Sequence, residues 1–223
     1  MDKKTNITIC CPTRSRPKLA QRMAITALET ADDPDQINIK FYLNDDDPYL
    51  QEYKTILQNY DIGGDQSTVF SWNQIAETNN SDLYMLAGDD IQFLTEGWDS
   101  KFMQCFIKYP DGIFMISFNN GIDQLKTSPH PVVTQQWRKA LGWYFPFMFH
   151  HWHVDTYSRD LAESINRYVF FNDITIKAKK ITKDPTAQKI RTKGIPMRDK
   201  FVYEKMKSCY FSHDVNKLRQ AMI

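Results

Sequence analysis

The apolar run LYMLA, at residues 83–87, constrains the fold of this chain more than any other feature. It lacks the alternation of polar and apolar side chains that marks a half-exposed strand, and it is typical of a strand covered on both faces inside an α/β sheet. Gly88 and two adjacent carboxylates, Asp89 and Asp90, follow it directly. Burying carboxylates at a strand end costs free energy unless a cation or hydrogen-bond donors meet them, and Mg²⁺ and Mn²⁺ prefer oxygen ligands. The run therefore predicts a buried strand that ends either in a metal site or in a solvated acidic turn.

Strand-like and helical segments alternate along the chain. The expected strands are residues 7–11, 37–43, 68–70, 83–87 and 112–118, and the expected helices are residues 19–29, 72–78, 98–108, 156–166 and 203–222. This alternation predicts an α/β fold with a mostly parallel sheet and helices on both faces. With 42% hydrophobic residues among 223, the chain can bury the core of a single domain that spans residues 1–223.

The first two strands also end in polar residues. Pro12, Thr13, Arg14 and Arg16 follow the first strand, and Asp45, Asp46 and Asp47 follow the second. Ligands of open α/β sheets bind at the carboxyl ends of the strands, and arginine is well suited to clamping phosphate. No Gly-rich fingerprint accompanies these loops, so the sequence supports neither a Walker phosphate loop nor a dinucleotide-binding turn.

Aromatic side chains are concentrated at residues 137–152, a density that is usual for a hydrophobic core. Trp152 and His153 end this segment, and Asp155 follows at the expected start of an amphipathic helix. The simplest role for Asp155 is therefore that of a helix N-cap.

The charge of the chain is distributed unevenly. The formal net charge is +1, but residues 176–207 contain eleven Lys or Arg against three acids, which gives 11 − 3 = +8. Such a segment indicates either a polyanionic partner or a solvated basic face. Lys189, Arg191 and Lys193 lie at its centre.

Taken in order, these segments resemble the GT-A fold of nucleotide-sugar-dependent glycosyltransferases, broadly family 2-like, and in particular the small phage and bacterial versions. The resemblance covers about residues 6–190. The segment CPTRSRP resembles the first donor loop of the family, NDDDP the second-strand acids that meet the nucleoside, and AGDD the metal-binding strand end. GWD, at residues 97–99, resembles the acceptor-side turn, and HVDT, at residues 153–156, resembles the segment that places the catalytic base at a helix start.

The resemblance implies a role for each of these segments. It implies donor contacts from Pro12, Thr13, Arg14, Arg16, Asp45, Asp46, Asp47 and Asp90, a direct metal contact from Asp89, and a catalytic base at Asp155. It implies acceptor contacts from Trp98, Asp99, Trp152, His153, Lys189, Arg191 and Lys193. Residues 1–110 are then the half that binds the nucleotide sugar, and residues 111–223 the half that binds the acceptor.

Two departures from the family pattern concern the metal. The acid-x-acid motif of the family would place a carboxylate at Ala87, and the late strand at residues 174–179 lacks the histidine that family members often supply. Lys177 or a neighbouring lysine could instead neutralise a diphosphate there. The cofactor implied by the resemblance is nonetheless Mn²⁺ or Mg²⁺.

The function expected from the resemblance is inverting, metal-assisted transfer of a sugar from a nucleoside-diphosphate sugar, with a UDP-sugar favoured, to an acceptor hydroxyl. The basic segment indicates a polyanionic acceptor, and the resemblance to small phage glycosyltransferases implies hydroxymethylated cytosine in phage DNA as the favoured one. A cell-surface polysaccharide is the alternative. A metal-dependent nuclease or phosphoesterase and a non-catalytic nucleic-acid-binding module remain open as other classes.

The remaining features concern the compartment. Cys10, Cys11, Cys105 and Cys209 show neither a paired metal-ligand spacing nor a disulfide framework, which favours a reducing compartment. No apolar run approaches the length that spans a bilayer, so we expect no membrane partner. The expected location is the cytoplasm, or the host cytoplasm if a phage encodes the chain.

Overall fold

The computed structural model describes residues 6–121, 129–178, 188 and 194–222, and these form an α/β fold. The strands are β1 (Ile7–Thr13), β2 (Ile37–Asn44), β3 (Tyr60–Gly63), β4 (Leu83–Leu86), β5 (Ile91–Phe93), β6 (Met115–Asn119), β7 (Val132–Thr134) and β8 (Tyr168–Ala178). The helices are α1 (Pro17–Glu29), α2 (Leu50–Ile56), α3 (Thr68–Glu77), α4 (Trp98–Lys108), α5 (Gln135–Leu141), α6 (Val154–Ser164), α7 (Ile195–Cys209) and α8 (Phe211–Gln220). Among these described helices, none has both the length and the apolar character that crossing a membrane requires.

The eight strands form one sheet in the order β3-β2-β1-β4-β7-β6-β8-β5. Strands β1 to β4 pair in parallel, as do β6 and β8, whereas β7 is antiparallel to both of its neighbours and β5 is antiparallel to β8. Four of these seven pairings are parallel. The predicted α/β fold with a mostly parallel sheet is therefore confirmed.

The core is divided between the two faces of the sheet, and β4 shows this division. Leu83 and Met85 pack in one apolar cluster with α1 and α4, whereas Tyr84 and Leu86 pack in a second cluster with α3, α5 and α6. All four side chains are at most 2% exposed. The prediction of a strand covered on both faces by helices is correct, and the position of the Asp89–Asp90 turn follows from it.

Two local predictions were wrong. Residues 68–70, expected as a strand, are the first turn of α3, because the Ser67 hydroxyl accepts a hydrogen bond from Phe70 N at 3.1 Å and caps the helix. The third strand instead lies at Tyr60–Gly63, in residues expected to be a loop, where it pairs with β2 along the sheet edge. Pairing with β2, rather than local propensity, determines this strand.

The ends of several other elements also differ from expectation. Strand β1 continues through Pro12, which the sheet tolerates because β4 ends at Leu86, opposite Cys10, and requires no amide from Pro12. The single C-terminal helix expected at residues 203–222 is two helices, α7 and α8, which meet at Tyr210. Helix α7 begins before residue 203, at Ile195.

Candidate active site

The parallel strands β1, β2 and β4 bring three polar loops to one edge of the sheet. Thr13 lies opposite Leu43, and Cys10 lies opposite Leu86, so the carboxyl ends of the three strands are neighbours. Hydrogen bonds then join the loops directly, from Ser15 N to Asp47 Oδ2 at 2.7 Å and from Thr13 Oγ1 to Asp89 Oδ2 at 2.6 Å. The three strand-end segments singled out in the sequence therefore meet in one site.

The three acids after β2 differ in their environments. Asp47 is 5% exposed, and its carboxylate accepts hydrogen bonds from Ser15 N and from Tyr49 N at 2.8 Å. Asp46 forms a bidentate ion pair with Arg14, in which Nη2 of Arg14 and Oδ2 of Asp46 are 3.0 Å apart. This hydrogen bonding raises the pKa of the Arg14 guanidinium. Asp45 is exposed. Asp46 and Asp47 therefore shape the first loop, and the Asp45 carboxylate faces solvent.

Asp89 is fully buried beneath the first loop. Its Oδ2 accepts the Thr13 hydroxyl, and its Oδ1 lies 2.9 Å from Nη2 of Arg16. The Tyr53 hydroxyl donates to Thr13 Oγ1 at 2.8 Å and accepts Arg16 N at 2.8 Å. Burial raises the pKa of Tyr53, so its hydroxyl remains a donor. This environment suits a residue that orients Arg16, rather than the direct metal contact that the resemblance implied for Asp89.

Asp90 is the carboxylate left to face the site. It is only partly buried, and among the described residues nothing donates a hydrogen bond to its side chain. Its backbone oxygen accepts Nη2 of Arg22 at 3.1 Å, which fixes the turn. A Cβ placed on Gly88 would lie 2.7 Å from Asp90 Oδ1, so only glycine at position 88 permits this position of the carboxylate.

His130 lies beside the same glycine and was not singled out from the sequence. Its Cε1 would be 3.6 Å from a Cβ on Gly88, and the residue is 8% exposed. Burial lowers the pKa of His130, while the negative charges of Asp90 and Asp155 oppose that shift. His130 therefore lies within electrostatic range of two carboxylates that are 65 positions apart in the chain, since 155 − 90 = 65. An isolated histidine between prolines gave no periodic or motif signal by which to find it.

Asp155 occupies the first turn of α6 and does not cap it. The cap position is His153, with a left-handed φ of +67°, and no side chain hydrogen-bonds the first turn as a cap. The one hydrogen bond to the Asp155 carboxylate comes, among the described residues, from Thr156 Oγ1 at 3.4 Å. The N-cap interpretation of Asp155 is thus wrong, and the half-buried carboxylate is available for chemistry.

The segment before α6 lies against the end of β4. His151 Nδ1 and Thr68 Oγ1 are 3.0 Å apart, and the His151 ring stacks on Trp72 with centroids 6.3 Å apart. Trp72 in turn donates its indole N–H to the carbonyl of Ala87 at 3.0 Å. Burial lowers the pKa of His151 to about 4, and the charges of Arg16 and Asp90 also act on it. Residues 150–153, which include the predicted acceptor contacts Trp152 and His153, therefore border the carboxylate turn.

Trp98 and Asp99 do not belong to this site. Trp98 is fully buried between Phe93 and Phe102, and its indole N–H donates to the carbonyl of Ala27 at 3.2 Å. The carboxylate of Asp99 accepts the backbone amides of residues 32 and 33 at 2.8 and 3.0 Å. The acceptor contact implied for this turn does not agree with the structure, because both side chains hold α4 to the end of α1.

The structure describes only some of the basic residues in the segment at residues 176–207. Lys189, Arg191 and Lys193 lie outside the described residues, so their predicted acceptor contact stays a prediction. Lys177, in β8, is exposed, and its Cγ would lie 3.0 Å from a Cβ on Gly121.

The residues present fit a weakly held divalent ion better than a preformed metal cage. Within the described ranges, no three His, Cys, Asp or Glu side chains are grouped to hold a metal. Mg²⁺ is nevertheless commonly bound by one or two carboxylates together with the phosphates of a substrate. Asp90 can supply one such carboxylate.

Neither a protein-family model nor a curated protein matches the chain. Solved structures do match it. One is the mannosyltransferase PcManGT from Pyrobaculum calidifontis in complex with GDP-Man and Mn²⁺, with a TM-score of 0.66 and 9% identity over 99% of this chain and 74% of that chain. Another is S. aureus TarS 1-349 in complex with UDP-GlcNAc, with a TM-score of 0.61 and 13% identity over 82% of this chain. The match spans 61% of that TarS chain.

At these identities the similarity shows the fold and leaves the activity to be argued from the site. Both the sheet and the helices on its two faces are covered by the match to the mannosyltransferase. The chain therefore has the GT-A fold of these two solved structures.

Proposed function

We propose that the protein transfers a sugar from a nucleoside-diphosphate sugar to an acceptor hydroxyl. One observation supports the proposal: the charges of Asp90, at the end of β4, and of Asp155, at the start of α6, both act on the pKa of the buried His130, whose ring lies beside Gly88 together with the Asp90 carboxylate. Sugar transfer needs a leaving-group site and a proton acceptor close together, and these two carboxylates come from the two halves of the chain. The GT-A neighbours with bound GDP-Man or UDP-GlcNAc support the same reaction class.

The donor half is residues 1–110 in this proposal. The backbone of the loop from Pro12 and Thr13 to Arg16 approaches the diphosphate, with Arg16 oriented by Asp89 and Arg14 oriented by Asp46. Asp45, which is exposed beside β3, is the acid that meets the nucleoside. A UDP-sugar is the favoured donor. When bound at Asp90, Mn²⁺ or Mg²⁺ supplies positive charge against the leaving diphosphate.

Residues 111–223 form the acceptor half. The oxygen of the acceptor hydroxyl bonds to the anomeric carbon while the bond from that carbon to the diphosphate breaks. Asp155 accepts the proton that this hydroxyl loses. This single displacement inverts the anomeric configuration. General-base assistance of this kind contributes about 10²- to 10⁴-fold to the rate. The loop that carries Trp152 and His153 borders Asp155 and supplies the acceptor contacts.

The acceptor we propose is hydroxymethylcytosine in DNA, and the support for it is the +8 charge of residues 176–207. A base inside a duplex must be flipped out to reach Asp155, and we propose that Trp152 stacks on the flipped base. Neutralising Lys189, Arg191 and Lys193 together should weaken the apparent affinity for such DNA, more at low salt than at high salt. A salt-independent affinity would favour a polysaccharide acceptor and leave the transferase proposal intact.

A two-metal nuclease is less well supported by the same residues. Two-metal hydrolysis needs several carboxylates directed at a pair of ions about 3.5–4 Å apart. Asp47 and Asp89 are instead bonded to backbone amides, to Thr13 and to Arg16. Asp45, Asp90 and Asp155 are left, and in our proposal they serve the nucleoside, the diphosphate and the proton transfer, respectively.

The donor is tested most simply by thermal denaturation with a panel of nucleotide sugars, each with Mn²⁺ and with EDTA. We expect one nucleoside-diphosphate sugar to raise the Tm, by several degrees at a concentration well above its Kd. Asp45→Asn is the matched variant, and it should reduce the shift with and without metal. No shift with any donor, together with cleavage of DNA in Mn²⁺ alone, would favour the nuclease.

A further inference from the structure

Helix α7 holds the loop that precedes Asp155 through one buried carboxylate. Asp199 is fully buried, and it accepts hydrogen bonds from three consecutive backbone amides, those of residues 150, 151 and 152, at 2.9, 2.8 and 2.8 Å. The side chain of Arg198 also donates to it at 2.8 Å. Three amides that converge on one carboxylate fix the course of a loop more tightly than any single contact does.

The same face of α7 also contacts α6 and the residue that precedes it. Residues 199, 203 and 207 are spaced by four, so they lie along one side of the helix. The Tyr203 ring stacks on His153 with centroids 5.0 Å apart, and its hydroxyl donates to Asp160 Oδ2 at 2.5 Å. Lys207 Nζ donates to the same oxygen at 2.9 Å. The loop and the first turns of α6 are therefore attached to α7 on one continuous surface.

The backbone at the junction of this loop and α6 needs such support. His153 has a φ of +67°, a left-handed backbone conformation that residues other than glycine adopt rarely and at a cost in free energy. The residue lies two positions before Asp155, so its conformation sets the direction in which α6 leaves the loop. Without the contacts of Asp199 and Tyr203 we expect the turn to relax and Asp155 to move.

We propose that Asp199 is a positioning residue of the transferase site, which holds residues 150–153 in the conformation from which α6 starts and thereby sets the position of Asp155. The inference rests on the proposed function, because it assigns to Asp199 an effect on catalysis that is exerted through Asp155. Asp199 itself is fully buried beneath the loop, so in this proposal it acts through Asp155 rather than by contact with donor or acceptor.

The chain offers a matched control in Asp214. This carboxylate, in α8, is 6% exposed and accepts the hydroxyl of Tyr157, in α6, at 2.9 Å. It is thus a buried acid of a C-terminal helix that packs on α6 without bonding to the loop. A purely structural role would give Asp199→Asn and Asp214→Asn the same behaviour, namely a lower Tm and an unchanged kcat well below that Tm.

The experiment measures kcat, donor Kd and Tm for Asp199→Asn, Asp214→Asn, Asp155→Asn and the Asp155→Asn/Asp199→Asn double variant. We expect Asp199→Asn to lower kcat by about tenfold or more, since displacements of about 1 Å can cost about a hundredfold. Its donor Kd should change much less than its kcat, because the proposed donor contacts of Arg14, Arg16 and Asp45 do not involve the loop at residues 150–153. In the double variant, kcat should match that of Asp155→Asn alone, since both changes remove one function.

A wild-type kcat in Asp199→Asn, or effects of the two substitutions that multiply, would overturn the inference. If Asp199→Asn does not fold, Tyr203→Leu tests the same set of contacts: it should lower kcat, and Tyr203→Phe, which keeps the ring on His153 and loses only the bond to Asp160, should lower kcat less. Full activity in Asp155→Asn would mean that the proposed base is wrong. An inactive Asp155→Asn beside a fully active Asp199→Asn would remove only the inference about Asp199.

Discussion

Substituting Asp89 and Asp90 one at a time should separate folding from donor binding. Asp89 is fully buried, 2.6 Å from the Thr13 hydroxyl and 2.9 Å from the Arg16 guanidinium. Removing one partner of a buried ion pair costs about 3–5 kcal/mol of folding free energy. Because the Arg16 side chain is 23% exposed and can regain water, we expect Asp89→Asn to lie at the lower end, at about 3 kcal/mol. For a chain of this size, that corresponds to a Tm lowered by about 6–12 °C.

Asp90→Asn should behave in the opposite way. Its carboxylate is partly exposed and forms no hydrogen bond with the described residues, so its loss should change stability by less than about 1 kcal/mol. The affinity of the Asp90→Asn variant for a nucleoside diphosphate should fall in Mn²⁺, since a neutral amide is a poorer ligand for the ion. In EDTA this affinity should stay at the wild-type value.

Thermal denaturation and calorimetric titration of the two variants test this separation directly. The titration must be run below the lowered Tm of Asp89→Asn, so that loss of folded protein is not read as loss of affinity. If Asp89→Asn is as stable as the wild type while abolishing the Mn²⁺-dependent affinity, then Asp89 is the direct metal ligand, and the role we assign to it is incorrect.

Other variants test the neighbouring contacts. Gly88→Ala places a Cβ 2.7 Å from Asp90 Oδ1, so we expect the Asp90 carboxylate to be displaced. The Mn²⁺-dependent donor affinity should then be weaker, with a Tm close to that of the wild type. Isothermal titration measures this affinity, and an unchanged value would argue against this role for Asp90. The pKa of His151 is about 4 in the folded protein, below its ordinary 6.5, so the unfolded chain binds more protons between these values and stability should fall as the pH drops through this window. Between pH 7 and pH 4, the free energy of unfolding should fall by about 1–2 kcal/mol less in His151→Gln than in the wild type, after allowance for the partial exposure of the ring. Equal decreases in urea titrations of the two proteins would contradict this.

The parts of the fold that the sequence predicted are those determined by local patterns. An unbroken apolar run identifies β4 as a strand buried on both faces, and the polar residues that follow β1, β2 and β4 identify the edge of the sheet where the site lies. Strand β3 could not be predicted in this way, because Asp61 and Gly63 have little strand propensity and pairing with β2 decides their conformation.

The site was less predictable because its assignments depend on contacts between residues that are distant in the chain. Asp89 and Asp90 have the same local context in the sequence, yet the fold buries Asp89 against Arg16 and leaves Asp90 partly exposed. His130 and Asp199 have no local signal at all. Asp199 bonds to a loop 47–49 positions earlier, and only the packing of α7 on that loop links it to the segment that precedes Asp155.

The central claim is that Asp155 is the base of a sugar transfer, and one comparison tests it most directly. Wild type and Asp155→Asn are given the nucleotide sugar identified by thermal shift, labelled in the sugar, with DNA that contains hydroxymethylcytosine and, separately, with a bacterial cell-surface polysaccharide. Asn keeps the size of the side chain and removes the proton acceptor, so donor affinity should be unchanged while labelled product falls by at least about a hundredfold. Wild-type transfer by Asp155→Asn would contradict the claim.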